Sequence, residues 1–259
     1  DLLAPSVAPG LSTVGVMLPS SPIHHMLLEP PMPPLVMTSG NPSEEPIITT
    51  NAEALEGLAP LSDLLLLHDR DVHTGCDDTV VRVVRDRARL VRRSRGYVPR
   101  PIVASNLAAA GPVLAVGGEQ KGAICVARRS QLVMGRHLGD LTSLRAFECF
   151  VAEVEKLCRL LDVRPSVVAH DLHPDYLSTR FAEGLEAVER VPVQHHHAHM
   201  ASCMAEHDLN VDARVVAVVF DGTGLGQDGT VWGGEVLVGG YRDFERAAHL
   251  RAGPLPGGD

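Results

Sequence analysis

Between Val113 and Val193 the chain sets out three short aliphatic runs joined by tight turns, then a long amphipathic stretch, then two further runs separated by a second helical stretch. Val113–Gly117, Gly122–Ala127 and Gln131–Met134 are too short for helices and read as strands. Leu144, Phe147, Val151, Val154, Cys158 and Leu161 recur at three- and four-residue steps. That spacing predicts a helix from Leu144 to Leu161, with Thr142 or Ser143 as its cap. Val167–Ala169 is the next strand, Leu177–Glu189 the next helix and Val191–Val193 a short strand. The order is βββαβαβ, and it makes the fold class α/β.

Ribonuclease-H-like domains, such as those of sugar kinases and actin, use this order. A helix at His195–His207 leads into a strand from Arg214 to Phe220 that runs on to Asp221-Gly-Thr-Gly224, and Thr230–Gly239 adds another. These read as the opening of a second such half. The first hundred residues are mixed α and β. Thr13–Leu18, Pro34–Thr38 and Leu64–Leu67 read as strands, the last one buried. Pro22–Glu29 and Asn51–Leu58 read as helical, and Thr79–Val84 with Ala88–Arg92 as a hairpin around Arg85-Asp-Arg87. The small, Gly/Pro-terminated stretch Ser105–Pro112 marks a boundary. The expected division is 1–103, a linker at 104–112, and 113–259.

Composition narrows the function classes. Lys plus Arg number 23 against 32 Asp plus Glu, a net charge of -9, which argues against a broad nucleic-acid or anionic-membrane surface. No stretch approaches the roughly 18 unbroken apolar residues of a membrane span. The five cysteines are widely spaced and include no CxxC pair, so neither a disulfide framework nor a zinc ribbon is expected. Reduced thiols in the cytoplasm are the expectation. The chain starts at Asp1 without a visible secretory signal, and is expected to begin inside a longer reading frame or after processing.

The strongest local signal is Gln194-His-His-His-Ala-His199, between a strand and a helix. Residues four apart share a helix face, so His195 and His199 can present two imidazoles to one ion. Neutral imidazole suits zinc or ferrous iron, and Asp221, ending the following strand, can supply a carboxylate. The plainer alternative is a solvated cluster, or rings satisfied by backbone hydrogen bonds. His196 and His197 are expected to be outside the ligand set or exposed. The glycines of Asp221-Gly-Thr-Gly-Leu-Gly226, Gly222 and Gly224 among them, would let backbone N–H groups approach a phosphate, with the Thr223 hydroxyl adding a hydrogen bond. Val116-Gly-Gly-Glu-Gln-Lys-Gly122 is the same kind of signal and brings Lys121. Either turn can equally join an ordinary hairpin. Thr38-Ser-Gly-Asn-Pro-Ser43 offers the Ser39 hydroxyl and the Asn41 amide at a strand end. Arg92, Arg93 and Arg95 cluster guanidiniums suited to phosphate. Asp171, His173 and Asp175 form another polar cluster, read either as functional or as capping the next helix.

Taken together, these segments resemble the hydrogenase-maturation carbamoyltransferase family, HypF. The matching text is Gly15–His25, Thr38–Ser43, Cys76–Arg82, Arg92–Pro99, Ala169–Arg180, Val193–His199, Asp221–Gly224 and Trp232–Glu235, in order and over essentially the whole chain. The resemblance implies that 1–103 is the later part of a YrdC-like domain. It implies that 113–259 is the first part of the domain related to the tRNA threonylcarbamoyl-transfer protein, so that the chain is a fragment or truncated product with little complete turnover. The implied chemistry is carbamoyl adenylate formation from ATP and carbamoyl phosphate with Mg2+, followed by carbamoyl transfer to the C-terminal cysteine of a HypE-type partner, en route to a cyanide ligand. Ser39, Asn41, Arg92 and Arg95 would hold phosphates, and His195, His199 and Asp221 would bind one transition metal, iron or zinc. Many relatives carry a basic residue where this chain has Gly75. The competing readings are an antibiotic O-carbamoyltransferase, a non-catalytic remnant, and a tRNA-modifying threonylcarbamoyl enzyme.

Overall fold

The computed structural model describes residues 3–43, 45–186 and 188–253. The chain divides into Asp1–Gly40 and Asn41–Asp259. In the first unit a 3-10 turn at Pro5–Val7 is followed by helix α1 (Pro22–Leu27), whose N-terminus is capped by the Ser21 hydroxyl accepting from the His24 N–H. Thr13–Leu18 and Pro34–Thr38 are not strands. An extended segment becomes a strand only when a neighbour takes up its N–H and C=O groups, and neither segment pairs with a strand among the described residues.

The second unit opens with helix α2 (Asn51–Gly57). Its Thr50 and Glu53 form a reciprocal capping box, the helix-start device that the Thr-x-x-Glu spacing encodes. Leu64–Leu67, expected as a buried strand, is irregular and largely exposed, with Leu64 at 86%. Aliphatic composition alone does not supply a pairing edge. The hairpin forms as expected from β1 (Val80–Val84) and β2 (Arg87–Arg92). Arg85 and Asp86 both take positive φ at the two-residue turn, the backbone handedness that matches the twist of the flanking strands.

Strands β3 (Ile102–Val103), β4 (Ala109–Ala115), β5 (Cys125–Arg129) and β6 (Gln131–Met134) lead into helix α3 (Leu144–Leu160). Then come β7 (Val167–Asp171), α4 (Leu177–Gly184) and β8 (Glu189–Val193). These strands make one six-stranded sheet in the order β3-β6-β5-β4-β7-β8. The hairpin-linked half is antiparallel, whereas β4, β7 and β8 run parallel, as crossover helices α3 and α4 require. Ser143 caps α3. Its inner face places Phe150, Val154 and Leu157 on Leu114, Val116, Ile124, Val126, Val133 and Val168. Burying each such side chain contributes about 1.5–3 kcal/mol. Helix α4 ends at Gly184, short of the expected Glu189, because that residue already opens β8.

Helix α5 (His195–Glu206) leaves β8 directly, and β9 (Val215–Leu225), β10 (Val231–Gly239) and β11 (Phe244–His249) form a second, antiparallel sheet in the order β11-β10-β9. Met200 and Met204 of α5 pack on Val219, Trp232 and Leu237. β11 was not foreseen: Phe244-Glu-Arg-Ala-Ala-His has little β-branched character, and its pairing with β10 makes it a strand. The expected Asp221–Gly226 turn is another correction, since Asp221–Leu225 is extended strand, with Gly224 opposite Trp232. Here glycine answers a packing demand. A Cβ on Gly224 would stand 2.7 Å from His196 Cε1 and 3.2 Å from His195 Cβ, whereas one on Gly222 would meet nothing within 4 Å.

A buried ion pair ties α3 to the loop before the hairpin. Glu153, 5% exposed, receives Arg136 Nε at 3.0 Å and the Arg136 backbone N–H, and Lys156 lies 3.6 Å away. Arg136 also donates to the Gly75 carbonyl at 2.6 Å, and Lys156 to the Thr74 hydroxyl at 3.0 Å. Gly75 itself is tight, because a Cβ there would lie 3.1 Å from Thr49 Cγ2 and 3.2 Å from the Ile47 carbonyl oxygen. No helix among the described residues is long and apolar enough to cross a membrane.

Two stability experiments follow from this packing. Gly224→Ala should lose about 1–3 kcal/mol by forcing the buried His196 ring aside, while Gly222→Ala should stay within about 0.5 kcal/mol; thermal unfolding of both compares them directly. Arg136→Met should cost about 3 kcal/mol by leaving Glu153 under-compensated, and adding Glu153→Leu should recover most of it. Equal unfolding midpoints for Arg136→Met and the parent chain would remove the ion pair from the account.

Candidate metal centre

Helix α5 carries four histidines in its first five residues, and its geometry divides them. His195 and His199, one turn apart, share a face with ring centroids 5.0 Å apart. His196 and His197 turn toward the second sheet. The buried His196 ring packs 5.9 Å from Trp232 and its Nε2 lies 3.3 Å from the Gly233 carbonyl; His197 Nε2 lies 2.8 Å from the Gly240 carbonyl. The expectation for this pair is thus met in part: both are outside the ligand cluster, but they hold carbonyls rather than facing solvent. Gln194 sets the start of the helix, its side-chain oxygen accepting from the His197 N–H and its amide donating to the Leu225 carbonyl at the end of β9.

That link brings Asp221 of β9 up to His195. One donor atom from each of His195, His199 and Asp221 lies within 4.8 Å of the others. Asp221 Oδ2 is 3.1 Å from His195 Nε2, yet it is a buried oxygen without a properly oriented hydrogen-bond donor. Two imidazoles and an orphaned carboxylate oxygen are the donor set expected for zinc or ferrous iron. Desolvation lowers the His199 pKa, with His195 adding to the effect, although the residue keeps an exposed surface. Burial likewise lowers His196.

The other ring nitrogen of His195 meets Asp171 at the carboxyl end of β7, Nδ1 to Oδ2 being 2.7 Å. This hydrogen bond raises the His195 pKa against the opposing effect of burial. Burial opposes ionisation of Asp171, but the His195 bond and the His173 N–H outweigh it, and the Asp171 pKa is lowered. Tyr176 stacks on His173 with centroids 4.3 Å apart, and burial pushes its phenol up. Glu119, in the β4–β5 connection, accepts from the Leu177 N–H at the start of α4, and burial raises its pKa. A Cβ on Gly118 would stand 3.6 Å from His195 Cε1, so this connection lies against the cluster. The sequence marks Asp171 only as polar; its partnership with His195 needed the parallel β7–β8 ladder to become visible.

The residues expected on phosphates sit as follows. Ser39 is exposed in the first unit. Asn41 donates to the Pro42 and Glu45 carbonyls, leaving its buried Oδ1 unpartnered. Arg92 donates to the Asp78 carbonyl and lies 3.8 Å from Asp77, and Arg95 grips Asp78 through Nε and Nη2 at 2.9 and 2.6 Å. The Lys121 backbone N–H donates to Asp140, with φ at +50°. The Gly222 N–H is turned onto the Asp221 side chain, Thr223 is exposed, and Gly224 is buried against the histidines.

Residues 108–206 match the family described as HypF Kae1-like domain, and residues 217–259 the one described as carbamoyltransferase, Kae1-like domain, second subdomain. Residues 1–94 match the Sua5/YciO/YrdC family, described as telomere recombination. The chain is 44% identical to carbamoyltransferase HypF2 of Cupriavidus necator, over 98% of this chain and 33% of that protein. It is also 44% identical to carbamoyltransferase HypF of Rhodobacter capsulatus, over 99% and 35%. A crystal structure of full-length HypF in the phosphate- and nucleotide-bound form superposes with a TM-score of 0.87 at 46% identity, covering 92% of this chain and 37% of that one. That of T. kodakarensis HypF gives 0.88 at 38%, covering 99% and 34%. The chain therefore spans about a third of the length of these relatives. It belongs to the HypF carbamoyltransferase family, joining a YrdC-like portion to a Kae1-like one.

Proposed function

We propose that this segment carries the metal-bearing transfer site and part of the adenylate-forming module of a carbamoyltransferase that serves nickel–iron hydrogenase maturation. The observation that supports the reading most is the convergence of His195, His199 and Asp221 beside the carboxyl ends of β7 and β8, where open α/β sheets place their ligands. In the adenylate-forming step, water splits carbamoyl phosphate into carbamate and phosphate, and the carbamate oxygen attacks the α-phosphorus of Mg2+-bound ATP, giving carbamoyl adenylate as pyrophosphate leaves. Asn41, Arg92 and Arg95 belong to the phosphate-holding set, and Asp77 and Asp78 pair with the two arginine side chains.

In the transfer step the C-terminal cysteine thiolate of a HypE-type partner attacks the carbamoyl carbon. The C–S bond forms, the bond from that carbon to the phosphate oxygen breaks, and AMP leaves with the electron pair. A bound iron or zinc ion would polarise the carbonyl. The chain's own contribution is to hold His195 and His199 on one face of α5, with Lys121 as a further phosphate contact. Five cysteines, none of them in a disulfide, fit a reducing cytoplasm.

A chimera tests this reading. The 259-residue segment replaces its counterpart in the Rhodobacter capsulatus relative, to which it is 44% identical. The chimera should release AMP in a manner that depends on carbamoyl phosphate and should label an acceptor ending in cysteine. His199→Ala in the same chimera should cut label transfer by more than the about 10–100-fold that losing a hydrogen-bond partner behind a metal ligand costs. A folded chimera that labels a sugar hydroxyl but no thiol would move the assignment to an O-carbamoyltransferase. One that is inert toward both would remove it.

A further inference from the structure

The parallel ladder of the first sheet sets Asp171 beside His195. Asp171 ends β7 opposite Val193, and only Gln194 separates Val193 from His195. The two carboxylate oxygens have separate duties. Oδ1 accepts from the His173 N–H at 2.9 Å, and Oδ2 lies 2.7 Å from His195 Nδ1. The Asp171 side chain is 5% exposed, so water does not compete for it. An ionised carboxylate can only accept, which puts the shared proton on Nδ1. A neutral imidazole has one N–H, so its lone pair then sits on Nε2, the nitrogen 3.1 Å from Asp221 Oδ2. With the proton on Nε2 instead, that nitrogen could not bind a metal.

We propose that Asp171 is a positioning residue: it fixes the tautomer of His195 so that Nε2, and not Nδ1, is the donor presented to the ion. The proposal rests on the metal-centre reading above. Asp171→Asn keeps the outline of the side chain but has one acceptor where the carboxylate has two. If its oxygen stays with the His173 N–H, its NH2 faces His195 Nδ1, which must then accept, and the ring proton moves to Nε2. The flipped amide would set its NH2 against the His173 N–H, donor against donor.

The experiment uses the full chain without metal, labelled with nitrogen-15, above the pH range in which imidazole protonates. Long-range proton–nitrogen spectra should show the Nδ1–H tautomer of His195 in the parent chain and the Nε2–H tautomer in Asp171→Asn. Titration with zinc ion alone should then show affinity lowered by about 10–100-fold in Asp171→Asn, the usual range for loss of an outer carboxylate. A merely structural role would lower the melting temperature and leave the tautomer unchanged. An Nε2–H tautomer in the parent chain, or undiminished zinc affinity in Asp171→Asn, overturns the proposal. If Asp171→Asn does not fold, the parent spectrum alone decides. If His195→Ala and His199→Ala bind zinc as the parent does, the metal-centre reading fails, while the metal-free spectrum still reports on Asp171.

Discussion

An α-helix turns through a full circle in about 3.6 residues, so four histidines in the first five residues of α5 cannot all face one way. The chain uses both directions. His196 and His197 reach carbonyls of the second sheet at Gly233 and Gly240, and His195 with His199 face the opposite side. The helix is therefore keyed into the second sheet by two side chains while the other pair is held in a fixed orientation. Gly224 makes this approach possible, since any side chain there would occupy the space of the His196 ring. The candidate centre depends on that contact before it depends on the chemistry of any ligand.

The centre also draws on both sheets. Asp171 comes from the carboxyl end of a parallel strand in the first, Asp221 from an antiparallel strand in the second, and His195 stands between the two carboxylates. Their unequal roles follow from their surroundings. Asp171 is nearly buried and satisfied on both oxygens, whereas Asp221 has a buried oxygen lacking a donor. A satisfied carboxylate orients its neighbour, and an unsatisfied one facing two imidazoles is a place for a cation.

Much of this was legible in the residues. The βββαβαβ order predicted the first sheet because each element is defined locally, by apolar period and by a cap such as Ser143. The histidine spacing marked His195 and His199, since a four-residue step is a property of the helix alone. What the residues did not disclose depends on partners distant in sequence. Leu64–Leu67 looks like a buried strand by composition, yet no described strand offers it an edge. Phe244–His249 lacks strand composition, yet β10 recruits it. The glycines near Asp221 suggest a phosphate turn, but the segment is paired strand, and Gly224 is required by His196, far earlier in the chain. Asp171 shows its partner only once β7 and β8 lie side by side.

X-ray absorption at the metal edge of the chain loaded with one equivalent of zinc or ferrous iron tests the central claim most directly. The arrangement of His195, His199 and Asp221 predicts two imidazole scattering paths and an oxygen shell at about 2.0–2.2 Å, with any remaining positions filled by water oxygen. A sulfur shell at about 2.3 Å, or a spectrum without imidazole scattering, would place the ion elsewhere and contradict the account.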